Sequence, residues 1–449
     1  MRRTILLCIT ACVCFAAPVS AEVFFGGSAR ANVGMIFDLD DIDSSEIDFT
    51  TGLSPRFAAS SELFDFSVLA DIRWNNRENS FTFSVDEFRL TLIPADFALV
   101  QVGRFSYLPG MGEFFSNTNF FNQGSLVELI SSVGLVTGTN ADMIQANFFF
   151  SNFYTKLTVS PIAHDMVFPD TISPLFPGHY VPNPPGQTQD NTEYTGYTVD
   201  GAEASEVPYD KRVRPPFNFD QVSLSGEFGG TAGGIDFSLL YYYGWDDDTL
   251  FSTSTVEKSD GTYTTTLVPE YNKIHAVGLN MASSVQAFRF WGDAAWTFNK
   301  AFIRDDYFET TLVNEGEDTL YETTTIQGNF LEYTLGASYE FGFGLSVLFE
   351  YMDGWIIGGD PSRYVQPTLS RVLALAVNLP LFEYQLIPTI AAMYSIDTNA
   401  FGGGIVVSYA PTDELELTLT APIYFDFDGT SRPFGGNKLY ISLGLTWRF

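Results

Sequence analysis

Apolar and polar residues alternate one for one along much of this chain, most plainly in its last eleven residues. Leu439, Ile441, Leu443, Leu445, Trp447 and Phe449 share one parity, and Tyr440, Ser442, Gly444, Thr446 and Arg448 share the other. A period of two is the side-chain repeat of a β-strand. About ten residues is also the length of a tilted strand that crosses a bilayer. The same rhythm runs through Phe64–Trp74, Val222–Phe228, Ile235–Tyr243, Leu331–Tyr339 and Phe343–Tyr351. It predicts eighteen strands, at 23–37, 50–59, 62–75, 80–93, 96–105, 141–150, 152–160, 217–229, 234–245, 270–283, 287–299, 326–340, 343–355, 367–379, 383–396, 399–409, 413–425 and 437–449.

The connections sort by length. Tight ones fall at Ser60-Ser61, Pro94-Ala95, 230–233, 284–286, Gly342, Pro380-Leu381 and Pro411-Thr412. Long ones fall at 38–49, 106–140, 161–216, 246–269, 300–325, 356–366 and 426–436, and only 76–79 and 397–398 are short among them. A soluble sandwich has no reason to sort its loops this way. A transmembrane barrel does, with short turns on the side that holds both termini and long loops on the other.

Composition points the same way. Hydrophobic residues make up 45% of the chain, yet after residue 21 no uncharged apolar run is long enough for a spanning helix. A closed barrel is the other way to satisfy every backbone polar group in lipid. The expected fold is all-β: a transmembrane antiparallel β-barrel of about eighteen strands (sixteen to eighteen). The final strand resembles the C-terminal strand of bacterial outer-membrane β-barrels. That resemblance implies that the aromatic end, Trp447 and Phe449, is read by the barrel-assembly machinery. A second, short resemblance lies at Gly103-Arg104, Gly112 and Asn119-Phe120-Phe121-Asn122, which are similar to large porin-like outer-membrane channels. Pro109-Gly110 and Gln123 depart from that pattern, where Trp-Gly and a proline are expected.

Residues 1–21 read as a secretory signal peptide: Met1-Arg2-Arg3 is basic, Thr4–Ala17 apolar, and Val19-Ser20-Ala21 small. Ile9-Thr10-Ala11-Cys12 is a competing lipoprotein cleavage box. Cys8, Cys12 and Cys14 all precede Glu22, so a chain starting there has no disulfide or cysteine metal site. The formal charge is −32 over 449 residues, and removing Arg2 and Arg3 leaves −34 for residues 22–449, the expected barrel domain. Such acidity excludes nucleic acid as a partner.

Catalysis finds little support. His164, His179 and His275 are the only histidines, with no second histidine at metal spacing. The acidic runs Asp38–Asp48 and Asp246-Asp247-Asp248 lack calcium-loop spacing. No enzyme activity, cofactor or metal is expected. The Pro-rich segment 161–216, with ten of the 22 prolines, is expected as an extracellular loop without strands. Segment 106–140 is too apolar to wave in water. Met111, Phe114, Phe115, Phe120 and Phe121 mark it as a constriction or plug loop inside the barrel. The parity opposite the apolar stripes carries Asp65, Asp71, Glu227, Asp236, Asp293, Glu332, Glu350, Glu414 and Glu416 against Arg73, Arg289 and Arg448. Asp71, Asp293, Glu332 and Glu350 fall near mid-strand, so with Arg73 and Arg289 they are the expected selectivity residues of the lumen. The expected function is passive diffusion of small hydrophilic solutes across the bacterial outer membrane, favouring cations. The alternatives are a carrier of hydrophobic molecules such as fatty acids, or a surface adhesin. The expected partners are outer-membrane lipid, the assembly machinery, small solutes and, through the extracellular loops, a host or surface partner.

Overall fold

The computed structural model describes residues 22–39, 46–76, 79–120, 140–161, 194–199, 202–203, 222–246, 250–257, 263–270, 272–311, 319–358, 371–397, 399–426 and 438–449. The strands are β1 (Glu22–Asp38), β2 (Glu46–Ser60), β3 (Phe64–Asn75), β4 (Ser80–Ala95), β5 (Ala98–Phe105), β6 (Ala141–Phe150), β7 (Phe153–Ser160), β8 (Tyr194–Val199), β9 (Ala202–Glu203), β10 (Ser223–Ala232) and β11 (Ile235–Trp245). They continue with β12 (Leu250–Glu257), β13 (Tyr263–Glu270), β14 (Lys273–Val285), β15 (Phe288–Thr311), β16 (Thr319–Glu340), β17 (Ser346–Ile357), β18 (Val372–Asn378), β19 (Leu386–Ser395), β20 (Ala400–Tyr409), β21 (Leu415–Asp426) and β22 (Lys438–Arg448).

Of these 22, eighteen close a ring, and β8, β9, β12 and β13 lie outside it, with β12 paired to the extension of β16 from Ser254↔Glu322 to Glu257↔Thr319. Each ring strand pairs antiparallel with its neighbour in sequence among the eighteen, β7 with β10 and β11 with β14 included. The ring closes where β22 runs antiparallel to β1, from Ser28↔Arg448 to Asp38↔Lys438. Phe449 completes the seam: its N–H donates to the Gly27 carbonyl at 3.0 Å, and its own carbonyl accepts from Gly27 at 2.9 Å. Among the described residues every ring strand is paired on both sides, which is what a lipid environment demands of strands.

Parity along each strand separates two surfaces. Outward positions are large and apolar, and they stay exposed: Phe25, Phe83, Leu335, Phe349, Leu443 and Trp447 are among them. An exposed apolar belt of this extent marks a lipid-facing wall. Inward positions carry serine, threonine, asparagine and most of the charge. In β4 the phase slips against β3. Leu69 faces Glu87 but Ala70 faces Val85, so Asp86 is an extra residue, a β-bulge. Phe81 and Phe83 above it and Leu92 below it all remain exposed on the outside.

Three expected loops are partly strand. Residues 246–269 contain β12 and β13, rich in β-branched threonine and valine and paired Leu250↔Glu270 to Glu257↔Tyr263. Strands β15 and β16 run on through 300–325 to Thr311 and from Thr319, with register shifts between Thr297 and Lys300 and between Ile303 and Tyr307. Within 161–216, β8 and β9 occupy the stretch free of proline between Pro185 and Pro208, and β8 pairs parallel with β13. The rest of 162–221, and the signal peptide, lie outside the described residues.

The seam generates a prediction. Deleting Trp447–Phe449 removes the Gly27 pairing and two lipid-facing rings that sit 5.4 Å apart. Heat-modifiable barrel, scored by gel shift, should fall severalfold at unchanged expression, and Phe449→Ser should fall between the truncated and intact chains. Normal yields from the truncated chain would disprove it.

Candidate functional site

Strand β5 ends at Phe105, and the chain then turns into the barrel instead of away from it. Residues 106–120 follow the inner wall and bind it at a series of named points.

The first anchor is Glu227 on β10, a carboxylate only 2% exposed. Tyr107 and Tyr154 both donate their hydroxyls to it, Tyr154 at 2.6 Å, and Lys156 reaches it at 3.2 Å. The Lys156 ammonium also stands over both tyrosine rings, 5.3 Å from that of Tyr107 and 4.6 Å from that of Tyr154. Burial first, and then the Glu227 carboxylate, holds the Tyr107 phenol well above the ordinary tyrosine range, so it remains a donor. The second anchor is Asn280 on β14, which is fully buried. Its amide donates to the Pro109 carbonyl at 3.0 Å and to Ser238 at 2.9 Å, and its oxygen accepts from Thr118 at 2.8 Å.

The tip of the segment is held by two carboxylates. Met111 and Gly112 donate their backbone N–H groups to Asp293 on β15 at 2.9 Å. Glu113, Phe114 and Phe115 donate theirs to Glu350 on β17 at 2.5, 2.8 and 3.1 Å. The Trp291 indole adds a fourth bond to Glu350 at 2.6 Å. Both carboxylates are at most 1% exposed. Successive amides of a tight turn form an anion-binding nest, and charge-assisted bonds of this kind are about twice as strong as neutral ones. Two glycines make the approach possible. A Cβ on Gly112 would lie 1.7 Å from the Phe115 carbonyl, and one on Gly110 would lie 1.8 Å from the Ser116 hydroxyl and 2.8 Å from Asp293.

Apolar packing completes the attachment. Phe114 and Phe115 join Val372 and Ala374 of β18 with Ala391 and Met393 of β19 in one buried cluster. Phe120 stacks on Tyr242 of β11, centroids 4.8 Å apart. Met111 also borders a recess of 290 Å³ shared with Tyr154 and Asp236. Phe121 and 122–139 lie outside the described residues.

The expected lumen charges therefore have distinct surroundings. Asp293 and Glu350 are capped by amides instead of standing free in water. Asp71 is 2% exposed and accepts from Ser54 at 2.6 Å and from both Arg30 and Arg73. Glu332 is half-buried on β16. Arg289 bonds Glu113 at 2.6 Å, with its guanidinium over the Trp291 ring. The sequence count missed inward bases on the first four strands and β7. Register places Arg30, Arg56 and Arg89 with Arg73, and Lys156 with Glu227, on the inner face. Arg104 takes the opposite parity and pairs with Asp142 through two bonds of 3.0 and 2.8 Å. His275 also lies on the outer face. His164 and His179 lie outside the described residues, among which no group of three His, Cys, Asp or Glu side chains is placed to hold a metal ion.

A ring of eighteen strands with an apolar exterior, a polar interior and a long connection folded inward decides the architecture. The chain is a closed antiparallel β-barrel of eighteen strands. No family model and no curated protein matches this barrel. Among solved structures it is similar to OmpF of Salmonella typhi in complex with daunomycin, at 9% identity and a TM-score of 0.43, over 96% of this chain and 98% of that one. It is also similar to OmpT, an outer-membrane protein of Vibrio cholerae in its trimer form, at 9% identity and a TM-score of 0.39, over 96% and 99% of the two chains. A mutant of the Rh. blastica porin aligns at 9% identity and a TM-score of 0.37, over 95% and 100%. The barrel's own strand pairings establish its ring.

The nest yields a direct expectation. Glu350→Ala removes the acceptor of three amides and one indole, and each buried donor left unmet costs about 1–3 kcal/mol. Residues 106–120 should leave the wall and become cleavable in limited proteolysis, while the barrel stays heat-modifiable. Gly112→Ala should act in the same direction through steric conflict. Resistance equal to the parent chain would show that the nest does not hold the segment.

Proposed function

We propose that this chain is an outer-membrane channel for passive diffusion of small hydrophilic solutes, with residues 106–120 narrowing its bore. The observation that carries this reading is the attachment of that segment to the inner faces of β10, β14, β15, β17, β18 and β19. A barrel of this strand number holds water unless filled, and a segment fixed against one side leaves the other side as the passage. That side carries Arg30, Arg73 and Arg89, with 40, 61 and 39% of their side chains exposed. Exposed guanidinium groups on an inner wall suit water and polar solutes. A carrier of hydrophobic molecules would need an open greasy wall, whereas Phe114 and Phe115 already cover the apolar stretch of β18 and β19.

The preferred ion is the finer part of the proposal. Wall carboxylates alone give a weaker cation preference than the parity count implied, because Asp71 lies between two arginines and Asp293 and Glu350 are capped. The cation preference comes instead from the overall charge of −34 after residue 21. Exposed charge of this kind is screened over about 8 Å at physiological salt and about 3 Å at 1 M.

Planar-bilayer recording tests both levels. The intact chain should form open channels with a modest cation preference near 0.1 M salt that fades at molar salt. Asp71→Asn should shift the reversal potential toward anions, since it leaves Arg30 and Arg73 uncompensated. Glu350→Ala should change single-channel conductance. Absence of conductance would overturn the channel, and an anion-selective parent at low salt would overturn the ion preference alone.

A further inference from the structure

At the rim that carries the long loops, β11 ends and β14 begins. Trp245 faces Lys273 there, Tyr243 faces His275 and Tyr241 faces Val277, all on the lipid-facing parity. The Lys273 ammonium lies 5.3 Å from the ring centroids of both Tyr243 and Trp245. The His275 ring lies 4.7 Å from that of Tyr243, and its Nδ1 is 2.8 Å from the Tyr241 hydroxyl. That contact leaves Nε2 for another partner.

Lys273 differs from Arg104 and Arg371, two other described bases of this rim. Arg104 is paired with Asp142, and Arg371 with Asp397. Among the described residues no carboxylate pairs with Lys273, although the chain holds 54 acids to 22 bases. Two rings occupy part of the space around its ammonium, which has three donors and no acceptor. Aromatic side chains with a cation mark the headgroup level of a bilayer, apolar on one side and wet on the other. The apolar wall continues directly beneath, through Val277, Leu279 and Leu239, each at least 41% exposed.

We propose that Lys273 and His275 form a binding site for the phosphate of an outer-leaflet lipid headgroup. The ammonium and the imidazole supply donors to the phosphate oxygens. The rings of Tyr243 and Trp245 fix the ammonium and pack against the lipid at the start of its chains. A free phosphate would lack this apolar half. The proposal rests on the membrane reading, so the test begins with detergent-purified barrel shown to conduct in a planar bilayer. Without conductance the membrane reading itself fails.

That sample is mixed with phosphatidic acid or with diacylglycerol of the same chains, and bound lipid is counted by native mass spectrometry. Phosphatidic acid should be retained about fivefold over diacylglycerol, the value of one lysine at an anionic lipid surface. Lys273→Gln should lower it to the diacylglycerol level, and Lys273→Arg should restore it. Arg56→Gln, a lumen-facing control, should match the parent. Equal retention of the two lipids, or undiminished retention by Lys273→Gln, would overturn the site. Displacement of the lipid by millimolar inorganic phosphate would identify free phosphate as the ligand and overturn the lipid assignment.

Discussion

A backbone amide placed in hydrocarbon must find its partner within the protein. That constraint dictates the closed ladder from β1 round to β22, and the closed ladder dictates the rest. Once strands cannot end in an edge, every residue points either to lipid or to the lumen. One parity then has to be apolar, and the other is released to carry charge. The seam at Gly27 and Phe449 is where the constraint is met last, by the two ends of the chain.

The lumen obeys a different rule. It is wet, so a segment crossing it has to be fastened against water that competes for every hydrogen bond. Segment 106–120 combines the means available. It places five consecutive amides on two carboxylates, covers an apolar patch of wall with two phenylalanines, and fits glycine where atoms come closest. Carboxylates that would be free charges in an open pore become structural acceptors. The inner wall is thus divided into a side that holds the segment and a side, on β1–β4, where arginines face water.

The strands were legible because parity is a local property. Phe64 to Trp74 or Leu439 to Phe449 can be assigned without knowing any neighbour. Loop sorting followed from the same reading. Partnership was not legible. Asp293 and Glu350 look like any inward acids until Met111 to Phe115 are brought beside them from about two hundred residues away. Arg30 and Arg89 escaped the count for a simpler reason: β1 is interrupted by glycine and alanine, and β4 changes phase midway. The threonine-rich strands β12 and β13 were hidden because they lie beyond the membrane, where no apolar stripe is needed.

The extra residue in β4 has its own consequence. A strand read as a strict two-letter rhythm tolerates almost any substitution that keeps the letters in place. With Asp86 inserted, the two halves of β4 keep time separately, and each meets its neighbour on β3 in step. Removing Asp86 would bring Phe81, Phe83, Val85, Phe88 and Leu90 into one unbroken alternation on the lipid face and would erase the bulge with its local bend. A gap of one residue is therefore the change in length that this stretch can absorb, and related barrels that lack the residue should keep the same outward face.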